Sequence, residues 1–169
     1  MKKILSVLII LILTATTFGF AKSVNNDFTK NCVYLELLGQ GILGSINYEY
    51  RFANHWSGRV GFTKESIFIP IGMDIDITGA PLMINYLTGR ESHHMEFGLG
   101  VFAAWVKGDD FWGIDVDTEE EFMPLYTATA GYRYQPRKNG FIYKLSITPF
   151  VDGNGNGTLW AGLSLGYTF

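Results

Sequence analysis

The stretch Thr158–Phe169, TLWAGLSLGYTF, decides the fold. Leu159, Ala161, Leu163, Leu165, Tyr167 and Phe169 share one parity and are all apolar or aromatic. Thr158, Trp160, Gly162, Ser164, Gly166 and Thr168 share the other, small or hydroxylated apart from the tryptophan. Successive side chains of a strand point to opposite faces. This strand therefore has a greasy face and a small, mostly polar one.

Working back from it, seven more segments repeat the pattern. Cys32–Leu38 sets Val33, Leu35 and Leu37 against Glu36, and Gly39-Gln40-Gly41 reads as a tight turn. Ile42–Phe52 sets Ile42, Ile46, Tyr48, Tyr50 and Phe52 against Ser45, Asn47, Glu49 and Arg51. Trp56–Lys64 sets Trp56, Val60 and Phe62 against Ser57, Arg59, Gly61 and Thr63. Residues 65–79, with Pro70 and Gly72, read as a long loop with extended arms. Ala80–Leu87 sets Leu82, Ile84 and Tyr86 against Met83 and Asn85. His93–Val106 sets Met95, Phe97, Leu99, Val101, Ala103 and Trp105 against Glu96, Gly98, Gly100 and Ala104, with Phe102 out of place. Phe122–Tyr134 sets Tyr126, Ala128, Ala130, Tyr132 and Tyr134 against Thr127, Thr129, Gly131 and Arg133. Phe141–Phe150 sets Phe141, Tyr143, Leu145 and Ile147 against Lys144, Ser146 and Thr148.

Eight such strands, with no segment at helical apolar spacing, predict an all-β fold. The sense of the pattern is the informative part. Glu36, Glu49, Arg51, Arg59, Glu96, Arg133 and Lys144 all fall on the face rich in Gly, Ser and Thr. A soluble barrel keeps its apolar face inside, whereas an apolar exterior around a polar interior calls for lipid outside. The expectation is an eight-stranded antiparallel up-and-down transmembrane β-barrel.

The segments YLELLGQGILGSINYEYRF (34–52), EFGLGV (96–101), GYRYQ (131–135) and the terminal GYTF resemble small outer-membrane β-barrel proteins common in Bacteroidota, of OmpA/OmpX-like size. With their spacing, they cover most of the chain after its leader. The resemblance implies a cell outer-membrane location, membrane lipid as surroundings, and a C-terminal strand whose Tyr167 and Phe169 are read by the barrel-insertion machinery. It supplies no catalytic motif and no cofactor.

Residues 1–21 read as a signal peptide: Lys2 and Lys3, then an apolar run Ile4–Leu13, then a Gly19-Phe20-Ala21 cleavage site. Residues 22–169 are the barrel domain, with a polar lead-in at 22–30. Without Lys2 and Lys3 the balance is 11 basic to 16 acidic residues, a formal charge of −5, which argues against a nucleic-acid partner. One cysteine, Cys32, excludes a disulfide within the chain.

In eight strands the lumen is only just filled by side chains. The inward charges therefore suit a structural ion-pair network better than a proton or ion path, and Glu49, Glu96, Arg59 and Arg133 are expected to form one network. His93 and His94 point to opposite faces, so they make no metal site without a bend. Asp152-Gly-Asn154-Gly-Asn156-Gly157 matches half of an EF-hand loop but has Leu163 where a bidentate Glu is required, and reads as a glycine-rich turn. A hydrolytic or acyl-transfer site needs His beside Ser. The three histidines lie by short turns, away from the long loops, so no enzyme is expected. The acidic loop Lys107–Glu121 is the candidate for surface contact, through Asp109, Asp110, Phe111, Trp112, Asp115 and Asp117. Its extracellular partner is unknown, and its duller reading is a solvated loop with its rings on the barrel rim. The overall expectation is a monomeric structural or surface-interaction barrel; the alternative is a narrow porin-like pore or a hydrophobic-ligand conduit.

Overall fold

The structure is a computed structural model, and it describes residues 29–69, 73–89, 91–108 and 121–169. The chain forms a closed barrel of eight antiparallel strands: β1 (Asn31–Leu38), β2 (Gly44–Arg51), β3 (Trp56–Ile69), β4 (Met73–Leu87), β5 (His93–Gly108), β6 (Glu121–Tyr134), β7 (Gly140–Val151) and β8 (Gly157–Thr168). Each strand pairs with its sequence neighbour. The last closes on the first, from Cys32↔Thr168 to Leu38↔Gly162. Closure removes every free edge, so each strand's backbone groups find partners on both sides.

Side-chain parity is as the sequence dictates. Leu35, Leu37, Ile46, Phe62, Ile84, Leu99, Leu145, Leu163 and Leu165 all stand exposed on the outside, Leu99 at 73%. Glu36, Glu49, Arg59, Glu96, Arg133 and Lys144 are all buried inside. Strand tilt brings some inner-face backbones very close. At Gly166 an added Cβ would lie 2.2 Å from the Val33 carbonyl oxygen and 2.3 Å from Tyr34 Cβ, so only glycine leaves room for Tyr34 to reach across the lumen.

One end carries both described termini and the short turns after β2, β4 and β6. Phe169 N–H donates to Asn31 O (2.9 Å), Thr29 N–H to Arg137 O (3.1 Å), Leu87 N–H to His55 O (2.7 Å) and Gln135 N–H to Ser92 O (2.8 Å). This is the turn end. The other, the loop end, carries residues 39–43 and 152–156 and the facing ends of β3 and β4 and of β5 and β6.

Two expectations need correction at the loop end. The extended arms expected within 65–79 are strand, with β3 and β4 paired from Thr63↔Gly79 to Ile69↔Met73, so a short connection and not a long loop joins them. Their outer face there is polar, with Lys64, Ser66 and Asp76 exposed, and the inner face holds the buried Ile77. Among the described residues the hydropathy of the two faces is inverted there. Ile42, expected on the outer face of the second strand, instead lies in the connection before β2 and points inward. The turn Gly39–Gly41 is a 3-10 turn folded into the barrel mouth, with Gln40 fully buried.

Candidate functional site

The lumen is filled in two layers. Towards the turn end lies the charge-bearing layer, built from inner-face positions of six strands. Arg133 of β6 donates from Nη1 to Glu49 Oε1 of β2 and to Glu96 Oε2 of β5, the latter at 3.1 Å. Lys144 of β7 donates to Glu96 Oε1 at 2.6 Å and stands 3.5 Å from Glu49 Oε2. Two bases and two acids thus form a square of four ion pairs with no net charge. Tyr34 of β1 closes it: its hydroxyl donates to Glu49 Oε2 (3.3 Å) and accepts from Lys144 Nζ (3.1 Å).

A second group sits nearer the loop end. Arg59 of β3 pairs through Nη2 with Glu36 of β1, donates through Nη1 to Gln40 Oε1, and donates through Nε to Asn47 Oδ1 at 2.9 Å. Every face of that guanidinium is used, as burial of a charge demands. The expected single network of Glu49, Glu96, Arg59 and Arg133 is therefore two ion-pair groups. The Tyr34 ring links them, with the Arg59 guanidinium 5.4 Å and Lys144 Nζ 4.6 Å from its centroid. Arg51, the seventh residue, lies at the turn end and donates from Nε and Nη2 to Asn54 O.

The loop-end layer is apolar. Ile42, Ile77, Phe102, Ala104, Val106, Leu125 and Phe150 form one buried cluster, with Met123 and Trp160 packed against it. Phe102 and Phe150 meet edge to face at 6.1 Å. Phe102 and Trp160 thus share one environment, an apolar layer inside the barrel. Sequence reasoning also passed over Gln40, Tyr34 and Ile142. Tyr34 and Ile142 carried a usable signal, since they share the parity of Glu36 and Lys144.

The three histidines sit at the turn end, each engaged locally. His55 Nδ1 contacts Leu87 O at 2.7 Å, His94 Nδ1 contacts Thr88 O at 2.6 Å, and His93 Nδ1 pairs with the Tyr132 hydroxyl at 2.5 Å. Among the described residues no three His, Cys, Asp or Glu side chains converge as metal ligands. Asp152 spends its carboxylate on its own turn: Oδ1 accepts from Asn154 N–H and Asn156 N–H, both at 2.8 Å, and Oδ2 from Asn156 Nδ2 at 2.9 Å. Those hydrogen bonds hold its carboxyl below the usual range. The Asp152 carboxylate is thus engaged in the turn itself, as a glycine-rich turn requires. Asp109, Asp110, Phe111, Trp112, Asp115 and Asp117 lie outside the described residues. Tyr167 and Phe169 stand exposed at the turn end, Tyr167 edge to face with Phe141.

Among solved structures, the chain is similar to the N-terminal β-barrel domain of Pseudomonas aeruginosa OprF. The two share 17% identity over 83% of this chain and 99% of that one, with a TM-score of 0.62. It is also similar to Ail, the attachment invasion locus protein of Yersinia pestis, solved in complex with the heparin analogue sucrose octasulfate. That likeness has 15% identity over 83% of this chain and 97% of that one, with a TM-score of 0.48. No family model matches the chain, and no curated protein matches it significantly. At these identities the likeness concerns the fold: a closed eight-stranded barrel of the kind found in outer-membrane proteins.

Proposed function

We propose that the chain is an integral outer-membrane β-barrel with a structural or surface-interaction role and no enzymatic one. The observation that carries the reading is the inverted burial: large apolar side chains exposed around the outside, with ion pairs enclosed within. In water such an exterior would be an aggregation surface far larger than soluble monomers expose. In lipid it is what the solvent requires. The band also has borders. Trp56 and Tyr86 meet at 5.0 Å, Tyr134 stacks on Tyr143 at 4.8 Å, and both pairs ring the turn end. At the other border Trp105 and Phe122 meet at 5.2 Å, and beyond them Lys107, Ser66 and Asp76 face outward. Aromatic belts at both interfaces with polar wall beyond are the pattern of a spanning barrel.

The likeness of 34–52, 96–101, 131–135 and the terminal GYTF to the small barrels of Bacteroidota supports placing the chain among them. It also supports Tyr167 and Phe169 as the part presented to the insertion machinery. The protein is read as a monomer. The pore or conduit alternative has less support, because ion pairs and an apolar layer fill successive levels of the lumen. Current across a planar bilayer in the unsubstituted protein would favour it.

Orientation rests on the one long connection, residues 109–120 between β5 and β6, since outer-membrane barrels keep short turns in the periplasm and long loops outside. The turns at 53–55, 88–92 and 135–140 then face the periplasm with both termini. Protease added to whole cells is expected to cut within 107–121 and spare 135–140; the reverse would overturn the orientation. Heat-modifiable migration on gels, before and after boiling, tests barrel assembly itself.

Surface contact is assigned to the acidic loop, with acids steering a basic partner and Phe111 and Trp112 supplying contact area. Excising Gly108–Thr118 is expected to leave the heat-modifiable shift intact and abolish binding of basic peptides measured at low salt, where steering is strongest. If the intact protein binds none under those conditions, the surface role fails and the structural role stands.

A further inference from the structure

We propose that the inward-folded turn between β1 and β2 is a latch that closes the loop end of the lumen and can swing out. The connection spans residues 39–43. Its tip does not project from the barrel as a hairpin loop does; Gly39, Gln40 and Gly41 are all buried. Gln40 reaches down to the charged layer, where its Oε1 accepts from Arg59 and its Nε2 lies 3.3 Å from Met83 Sδ. Ile42 enters the apolar cluster. The turn therefore seals both interior layers at once.

Its hold is narrow and opposed. Leu38 has φ 59° and Ile42 has φ 67°, the only non-glycine residues with positive φ among those described. Side chains with a Cβ rarely adopt that region, and a β-branched one least of all. The in-folded turn is thus held against its own backbone. Opposing the strain are the Gln40 contacts, Ile42 burial, the Leu38 N–H to Leu43 O bond (2.7 Å), and Glu65, whose carboxylate accepts from Leu43 N–H (3.1 Å) and Gly44 N–H. Glycines at 39 and 41 flank Gln40, and Gly39 already sits at φ 72°. Glu65 grips the base of the turn and Gln40 its tip. Releasing Gln40 lets the tip pivot outward while the base stays fixed, uncovering Met83 and the Arg59–Glu36 pair.

The test uses thiol accessibility on the full mature barrel in lipid vesicles. Met83→Cys places a reporter beneath Gln40, and native Cys32, buried at the turn end, is the internal control. Modification by a polar maleimide is followed by mass spectrometry. Adding Gln40→Ala is expected to speed modification at 83 by about tenfold, the effect of losing a hydrogen bond to a charged donor. Adding Leu38→Gly, at an exposed side chain, relaxes the closed turn and is expected to slow it about fivefold. Cys32 should stay unmodified throughout. Equal rates at both thiols would mean global unfolding, and rates indifferent to the Gln40 and Leu38 changes would mean no latch; either overturns the proposal. The proposal rests on the barrel being assembled in a bilayer, which the heat-modifiable shift of the same samples checks separately. Hydrogen exchange on the unsubstituted protein gives a second measurement. The Ile42 amide, bonded within the tip to Gly39 O at 3.3 Å, should exchange well ahead of the β1–β2 ladder while Leu38 N–H at the fixed base stays protected, and protection of Ile42 equal to the ladder's would also overturn the latch.

Discussion

Arg133→Ala is expected to destabilise the barrel by about 3–5 kcal/mol, because it strands buried negative charge. Arg133 is the sole partner that touches both Glu49 and Glu96 from β6, and its side chain is 1% exposed. Without it, Lys144 is left as the base ion-paired to both carboxylates, and the four-group square acquires a net charge inside the barrel. The intact square is not a large source of stability, since desolvating four ions offsets most of their attraction. Its breakage is what costs. The cycle with Glu49→Gln separates these statements: the double variant should cost less than the sum of the singles. Urea refolding midpoints in lipid vesicles, read with the heat-modifiable shift, give the values. If Arg133→Ala shifts the midpoint by less than about 1 kcal/mol, water solvates the stranded carboxylates and the lumen is not a dry ion-pair network.

Much of this was legible from parity alone, and the reason is physical. A strand in a barrel wall has only two environments to choose between, so one alternation sorts every residue. That logic put Glu36, Glu49, Arg59, Glu96, Arg133 and Lys144 on one face. It could not say which acid meets which base, because pairing across a lumen depends on stagger. Glu49 and Arg59 are cross-strand neighbours in the β2–β3 ladder, yet Glu49 pairs with Arg133 from the far wall. Parity also fails wherever the solvent changes. Beyond the aromatic pair Trp105–Phe122 polar residues face outward, as at Lys64, Ser66, Asp76 and Lys107, and apolar ones inward, as at Ile77 and Val106. Residues 65–79 then lose the pattern that marks their neighbours, and the extended arms on either side of 70–72 cannot be told from loop by alternation. Where both faces are apolar, as in Phe102-Ala103-Ala104-Trp105-Val106, alternation is invisible. The tight turn at Gly39–Gly41 was legible, but its inward fold was not, because two non-glycine residues at positive φ, Leu38 and Ile42, defeat any propensity.

Phe102→Ala is expected to cost about 3–5 kcal/mol, the usual range for a fully buried phenylalanine. The ring is completely enclosed at the level where the lumen is apolar, edge to face with Phe150 and over Gly79. Its removal leaves a hole that rigid strands on all sides cannot collapse to fill. Gly79 provides the control. A Cβ built there would lie 2.3 Å from Phe102 Cζ, so the two positions compete for one volume. Gly79→Val alone should therefore destabilise by overpacking, about 1–3 kcal/mol. Combined with Phe102→Ala, the same valine enters the vacated space and should recover part of the loss, a sign reversal expected of two positions that share one volume. The same refolding midpoints measure all three variants. A loss below about 1 kcal/mol for Phe102→Ala, with no rescue by valine, would mean that lipid or water already occupies the loop-end lumen. The apolar layer would then be the floor of a conduit and not a packed plug, and the roles assigned to the interior would have to be exchanged.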